Sequence, residues 1–206
     1  MAAIEIQGQV GPGTYTDGTV RTARLDKEGG LVVAPGLAEY ARRGLLYTGM
    51  TAVTGIAPGT TIGTTPAIAI GNPVGSGKTI LIMVVTCGYV SGTLGAGIIT
   101  YCANKPASAH TLTSGTAIVP YNSKGNTSIA NIVTGGTLSV APGVVRPFAS
   151  LQASLASTAV APWTLKDEPM GEIAIEPGGI ISLQATAAAG STPLVAYGIT
   201  WVELVQ

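Results

Sequence analysis

The chain has 206 residues, and only 10% of them are Asp, Glu, Lys or Arg, against ~25% in an ordinary soluble domain. Its 10 basic and 10 acidic residues cancel, which speaks against a general nucleic-acid binder. Low charge with many apolar residues is the reverse of a disordered composition, so the chain is expected to fold, with a neutral surface rich in Gly, Thr, Ser and Ala that favours association.

Residues 1–35 read as an extended N-terminal arm carrying a short hairpin. The opening MAAIEIQGQV has neither a basic end nor a long apolar stretch, so no signal peptide is expected. Gly8, Gly11, Pro12 and Gly13 block regular structure. The arm holds too little apolar surface to order itself alone, yet Ile4, Ile6, Val10, Tyr15 and Val20 are apolar and are candidate interaction residues. Thr22 to Leu25 and Leu31 to Val33 flank the turn sequence DKEGG.

Residues 36–206 form the body. Gly36 to Arg43 is the one convincing helix, because Leu37, Tyr40 and Ala41 share a face. Arg42 and Arg43 fall in its last turn, where cations suit the helix dipole, and Gly44 is a natural cap. These two arginines are also candidate interaction residues. No Asp or Glu occurs between Glu39 and Asp167, a stretch that carries Arg42, Arg43, Lys78, Lys105, Lys124 and Arg146. Such a stretch suits solvated cations, or a mildly positive face that docks on an acidic protein lattice.

Strands follow. In Thr79 to Val90, strict alternation puts Ile80, Ile82, Val84 and Val90 on one face and Leu81, Met83, Val85, Cys87 and Tyr89 on the other. Both faces are apolar, so the strand is expected to be covered on both sides, with Val84 in the core. Its most apolar run, Ile80 to Val85, is far shorter than the ~20 residues of a membrane helix. Ile98 to Ala103 is expected to close a hairpin with it through a Gly-rich loop centred at Leu94, so that Cys87 and Cys102 face each other as free thiols. Further strands are expected at Ala117 to Val119, Thr137 to Val140, Glu172 to Ile175, Ile180 to Ala187 and Leu194 to Leu204. In the Ile180 strand, Ile181, Leu183, Ala185 and Ala187 face in, and Ser182, Gln184 and Thr186 face out. Ala34-Pro35-Gly36, Ala57-Pro58-Gly59, Ala141-Pro142-Gly143 and Glu176-Pro177-Gly178 read as type II turns. The expected fold is all-β: a β-sandwich or jelly roll with an extended N-terminal arm and one short helix.

Catalytic motifs are weak. Asn72 to Thr79 (NPVGSGKT) nearly matches a phosphate loop, but its first glycine is misplaced and a strand, not a helix, follows. Lys78→Ala is therefore expected to cost ~0.5 kcal/mol or less, like other surface changes. His110 sits in a Ser/Thr-rich loop far from any acid. Asp167, Glu168, Glu172 and Glu176 form an acidic cluster near Trp163, which a glycosidase would need as opposed carboxylates and which a solvated loop explains better. One His and two Cys are too few for most metal sites, so no metal or cofactor is expected.

The run Ile70 to Gly97 (IGNPVGSGKTILIMVVTCGYVSGTLGAG) resembles a segment of tailed-phage virion proteins encoded beside the major capsid gene. Their Asn-Pro-x-Gly-Ser-Gly-Lys loop leads into a long apolar strand. They end in a Pro-Gly turn, an amphipathic strand and Trp-x-Glu, as Glu176-Pro177-Gly178-Gly179 and Trp201-Val202-Glu203 do here. The resemblance runs loosely over residues 20 to 204. It implies a virion-surface protein with a sandwich or jelly-roll body and no catalytic site. The expectation is a non-enzymatic capsid decoration (cement) protein, a trimer bound to the major capsid protein, assembled in the host cytoplasm, with no nucleic-acid or membrane partner. The alternatives are a head-fibre module that binds a receptor or glycan, and a virion-associated polysaccharide hydrolase.

Overall fold

The computed structural model describes residues 36–93, 95–151, 164–186 and 192–206. The chain divides into two compact units, 1–39 and 40–206. Ile4, Ile6, Val10, Tyr15, Val20 and the hairpin at 22–33 lie outside the described residues, as do Leu94, Trp163 and Ala187.

Helix α1 spans Gly36–Arg43. It ends where the sequence says it should. The Gly44 N–H bonds the Ala41 carbonyl at 3.0 Å and the Leu45 N–H bonds the Tyr40 carbonyl at 2.9 Å, with Gly44 at φ +73°. This is the Schellman pattern, which needs a left-handed residue after the helix.

The strands are β1 (Leu46–Met50), β2 (Ile68–Gly71), β3 (Lys78–Ser91), β4 (Gly97–Asn104), β5 (Leu112–Thr113), β6 (Thr116–Ala117), β7 (Asn131–Thr134), β8 (Thr137–Leu138), β9 (Gly143–Leu151), β10 (Thr164–Asp167), β11 (Ile173–Ile175), β12 (Ile180–Thr186) and β13 (Leu194–Val205). One sheet runs β1-β13-β3-β10, with β11 also on β3; the other runs β6-β7-β2-β12-β4-β9; β5 and β8 form a separate pair. One apolar cluster joins the sheets, from Tyr47 and Trp201 on one side to Ile68, Ile99 and Leu183 on the other. The body is thus an all-β sandwich. Its pairing is nested: β1 with β13, β2 with β12, β3 with β10 and β11, β4 with β9. A long hairpin folded over on itself gives this order, and it is the jelly-roll topology.

Two expectations about β3 change. It does not form a hairpin with β4, because the two strands belong to opposite sheets. Nor is its alternation strict. Thr200 pairs with Val84 but Trp201 pairs with Ile82, so Met83 is an extra residue, and a second shift lies at Val90. A bulge inverts the parity of everything beyond it. Ile80 and Ile82 face the core before it; Val85 and Cys87 face the core after it. Val84 is only half-buried and stands outside the core cluster.

The second sheet is covered on its outer face too. Ser182 and Gln184, expected to face out, do so by alternation, yet they are 1% and 2% exposed. Gln184 exchanges two hydrogen bonds with the Gly63 backbone, at 2.8 and 3.0 Å. Ala69, Ile180, Leu138 and Leu112 form a small second core on that side. Of the Pro-Gly turns, Gly59 and Gly178 take positive φ, whereas Gly36 opens α1 and Gly143 opens β9.

Candidate functional site

The three motifs behind the phage resemblance converge at one end of the sandwich. Asn72 is 3% exposed. Its Nδ2 donates to the carbonyls of Lys78 and Ile175, both at 2.7 Å, and its Oδ1 accepts the Ser76 hydroxyl at 2.7 Å. Its backbone exchanges bonds with Gly178 and Gly179 of the Pro-Gly turn. Lys78 then reaches the last motif: its Nζ lies 3.0 Å from Glu203, a carboxylate with no exposed surface. Glu203 also accepts the Ser128 hydroxyl at 2.6 Å, the Ile129 N–H at 3.0 Å and the Trp201 indole N–H at 3.4 Å. Trp201 stacks on Tyr47 with centroids 5.9 Å apart.

This arrangement is a polar knot. The glycine loop runs straight into β3, and its lysine is spent on an internal carboxylate, with the Gly77 carbonyl taken by the Gln206 N–H at 3.1 Å. Lys78 is therefore not a plain surface residue, and the expectation that Lys78→Ala is silent is corrected. A buried charge stripped of its partner is costly.

The acidic cluster is likewise engaged. Arg146 on β9 binds Asp167 at 2.7 Å and Glu172 at 3.3 Å, and lies 5.3 Å from the Tyr101 ring centroid. The Tyr101 hydroxyl donates to Asp167 at 2.7 Å. Burial, and then the bond to Asp167, raise the Tyr101 pKa. Glu168 pairs with Lys166. Glu176 accepts Thr79 and Gln206. The cluster clamps the β9 edge of one sheet to β10 of the other.

The last turn of α1 is mounted differently. Asn122, 8% exposed, donates to the carbonyls of Gly44 and Leu46, both at 2.9 Å. Ser123 caps the Ala41 carbonyl at 2.9 Å, and Asn126 bonds the Gly44 carbonyl at 3.0 Å. Gly44 is needed here for space as well as φ, since a Cβ would lie 2.5 Å from Asn126 Nδ2 and 3.0 Å from Lys124. Lys124 is thereby set at Gly44, at the end of the helix that carries Arg42 and Arg43, and all three are exposed. Lys124 makes no ion pair among the described residues. The sequence reading named the arginines and left out Lys124 as a site residue. Its signal was Asn122-Ser123-Lys124-Gly125-Asn126, an Asx-turn sequence.

Other candidates carry little chemistry. The His110 Nδ1 donates to the Lys105 carbonyl at 2.6 Å and closes its own loop. Cys87 and Cys102 are free and buried. Burial pushes the Cys87 thiol up to about 12. Cys102 stands on the outer face with Thr100, 3.4 Å away, so the two thiols do not share a face. No three His, Cys, Asp or Glu side chains among the described residues group as a metal would require. No helix among them is long and apolar enough to cross a membrane.

No protein-family model matches the chain, and no curated protein and no solved structure matches it.

Proposed function

We propose that this chain is a non-enzymatic structural protein of a tailed-phage virion, a decoration protein that binds the outer capsid surface as a homotrimer and stabilises the shell. The observation that carries the reading is the cationic end of α1. The hydrogen bonds of Asn122, Ser123 and Asn126 hold the loop that carries Lys124 against the end of α1 that carries Arg42 and Arg43. Charges carried on a backbone that is already fixed lose little backbone entropy on docking. It suits an acidic protein surface, the class of partner that the acid-free stretch also points to.

The carboxylates that a polysaccharide hydrolase would use support the non-catalytic side of this reading. Asp167 and Glu172 share one guanidinium instead of standing opposed across a cleft. The jelly roll adds only an analogy, because capsid proteins, lectins and cupins all use it.

The mechanism is mass action. A protein that binds the assembled shell and not its dissociated subunits stabilises the shell, and small contacts repeated over a lattice gain strength by avidity. The test is a cryo-EM map of virions whose genome encodes the chain. The sandwich is expected at ordered sites on the outer shell, with α1 towards the capsid. Density for it only in the tail, or none on the shell, overturns the reading.

A further inference from the structure

The edges of the two sheets are not alike. Along β1, Thr48 exchanges both backbone hydrogen bonds with Tyr121, at 3.0 and 2.7 Å, so that edge is occupied. The edge formed by β10 and β11 is interrupted by Pro169-Met170-Gly171. β9 carries two register shifts and Pro147, devices that blunt an edge. Beyond β6, Pro120 and the bridge from Tyr121 to Thr48 close the segment, but at Ala117 no backbone bond on the side away from β7 is made among the described residues.

The hydrogen-bond pattern at β6 can be read residue by residue. The Ile118 N–H bonds the Ile132 carbonyl at 2.9 Å, and Thr116 and Ala117 lie opposite Thr134 and Val133. In an antiparallel pair, hydrogen-bonded and non-bonded positions alternate. Ala117, between the bonded positions Thr116 and Ile118, therefore turns its N–H and C=O groups away from β7. Thr116 and Ala117 are exposed, and the Val119 side chain is 90% exposed. Beside this edge lies a groove of about 450 Å³, whose lining includes Ile56, Ala57, Thr65, Pro66, Thr116 and Thr134 and no charged side chain.

We infer that this edge receives a β-strand formed by residues 4–10 of a second copy of the chain, an inference that rests on the assembly role proposed above. Ile4, Ile6 and Val10 fall on alternate positions of IEIQGQV, so in an extended strand they share one face, which the uncharged groove accepts. The outward N–H and C=O groups of Ala117 start the main-chain bonds of strand addition. Thirty-five residues precede Gly36, a reach of roughly 115 Å when extended, ample for a neighbouring subunit. Exchange among identical subunits also closes: each edge receives one segment and each subunit gives one.

The experiment uses the purified full-length chain with p-benzoylphenylalanine in place of Val119, prepared in light and heavy isotope forms and mixed before illumination. Mass spectrometry is expected to find the adduct on residues 4–10, with light body joined to heavy arm. Same-isotope adducts alone mean that the chain's own arm occupies the edge, and overturn the inference. Adducts elsewhere on the chain, or none, overturn it as well. Ala117→Pro removes one outward donor, and Ile6→Asp spoils the apolar face; each is expected to lower the mixed adduct about tenfold, the scale of one lost main-chain hydrogen bond. Because no capsid is present, this result is independent of whether the protein is found on a shell.

Discussion

Two regions of the sandwich handle their polar groups in opposite ways. At the knot of Asn72, Lys78 and Glu203, the side-chain amide of Asn72 is used on both sides and the buried carboxylate has four donors. At the β6 edge, Ala117 presents its backbone groups outward beside an uncharged groove. In sequence the first reads as a loop entering a strand and the second as a short strand. The difference is that one spends its hydrogen-bonding capacity within the fold and the other keeps it available, so the first is where stability resides and the second is where another chain can be held.

The core shared by both regions sets the upper limit of that contrast. Val85→Asp places a carboxylate in a dry interior beyond the β3 bulge and is expected to abolish folding, a loss of about 4 kcal/mol or more. Val84→Asp, on the half-buried face, is expected to leave a folded protein that melts a few degrees lower. Thermal melts of the purified variants decide. If Val84→Asp unfolds and Val85→Asp does not, the bulge at Met83 is misplaced.

The knot comes next. Glu203→Ala orphans Lys78, Ser128 and the Trp201 indole together and is expected to cost about 3 kcal/mol, with Asn72→Ala close behind and Lys78→Ala at about 2 kcal/mol. Urea unfolding with a common slope measures all three. A silent Lys78→Ala would mean that Glu203 is carried by its other donors alone.

Alkaline pH probes the interior without mutation. The Cys87 thiol is raised to about 12 by burial, and burial also raises Tyr101 and Tyr197. In each case the folded state holds its proton more tightly than the unfolded one. This stability is whole below the unfolded pKa, near 9 for the thiol, and is lost as pH climbs towards the folded value. Each group adds a slope of up to ~1.4 kcal/mol per pH unit in that window. Stability should be flat in these groups at pH 7 to 8.5 and fall above 9. A Cys87→Ser variant with an unchanged alkaline limb would remove the thiol from the account.

Much of the fold was legible in the sequence, for identifiable reasons. α1 was bounded correctly because its apolar spacing ends on a glycine that the helix needs. The Ile180 strand kept its alternation because its pairing with β4 has no register shift. β3 was misread because a bulge leaves no mark in a run where every residue is apolar. β9 was passed over because Pro147 interrupts it, and an edge position is what permits a proline there. β1, β2 and β7 are five residues or fewer, too short for periodicity to decide. At the site, Arg42 and Arg43 were visible as a helix end. Lys124 was not, since its neighbours in space come from 80 residues earlier in the chain.

The smallest expected effect is also the most discriminating for the open edge. Proline removes one N–H, and its cost depends on where that N–H points. At Ile118 the N–H bonds the Ile132 carbonyl at 2.9 Å, so Ile118→Pro breaks a ladder bond and should cost about 3 kcal/mol. One residue earlier, at Ala117, the N–H points away from β7 and the side chain is exposed. Ala117→Pro should therefore change the stability of the body by no more than about 0.5 kcal/mol. The pair is measured by melting at a protein concentration low enough to dissociate any oligomer, so that only the body is read. If the two prolines cost the same, Ala117 is part of an internal ladder, the edge is closed, and the contrast with the knot of Asn72, Lys78 and Glu203 disappears.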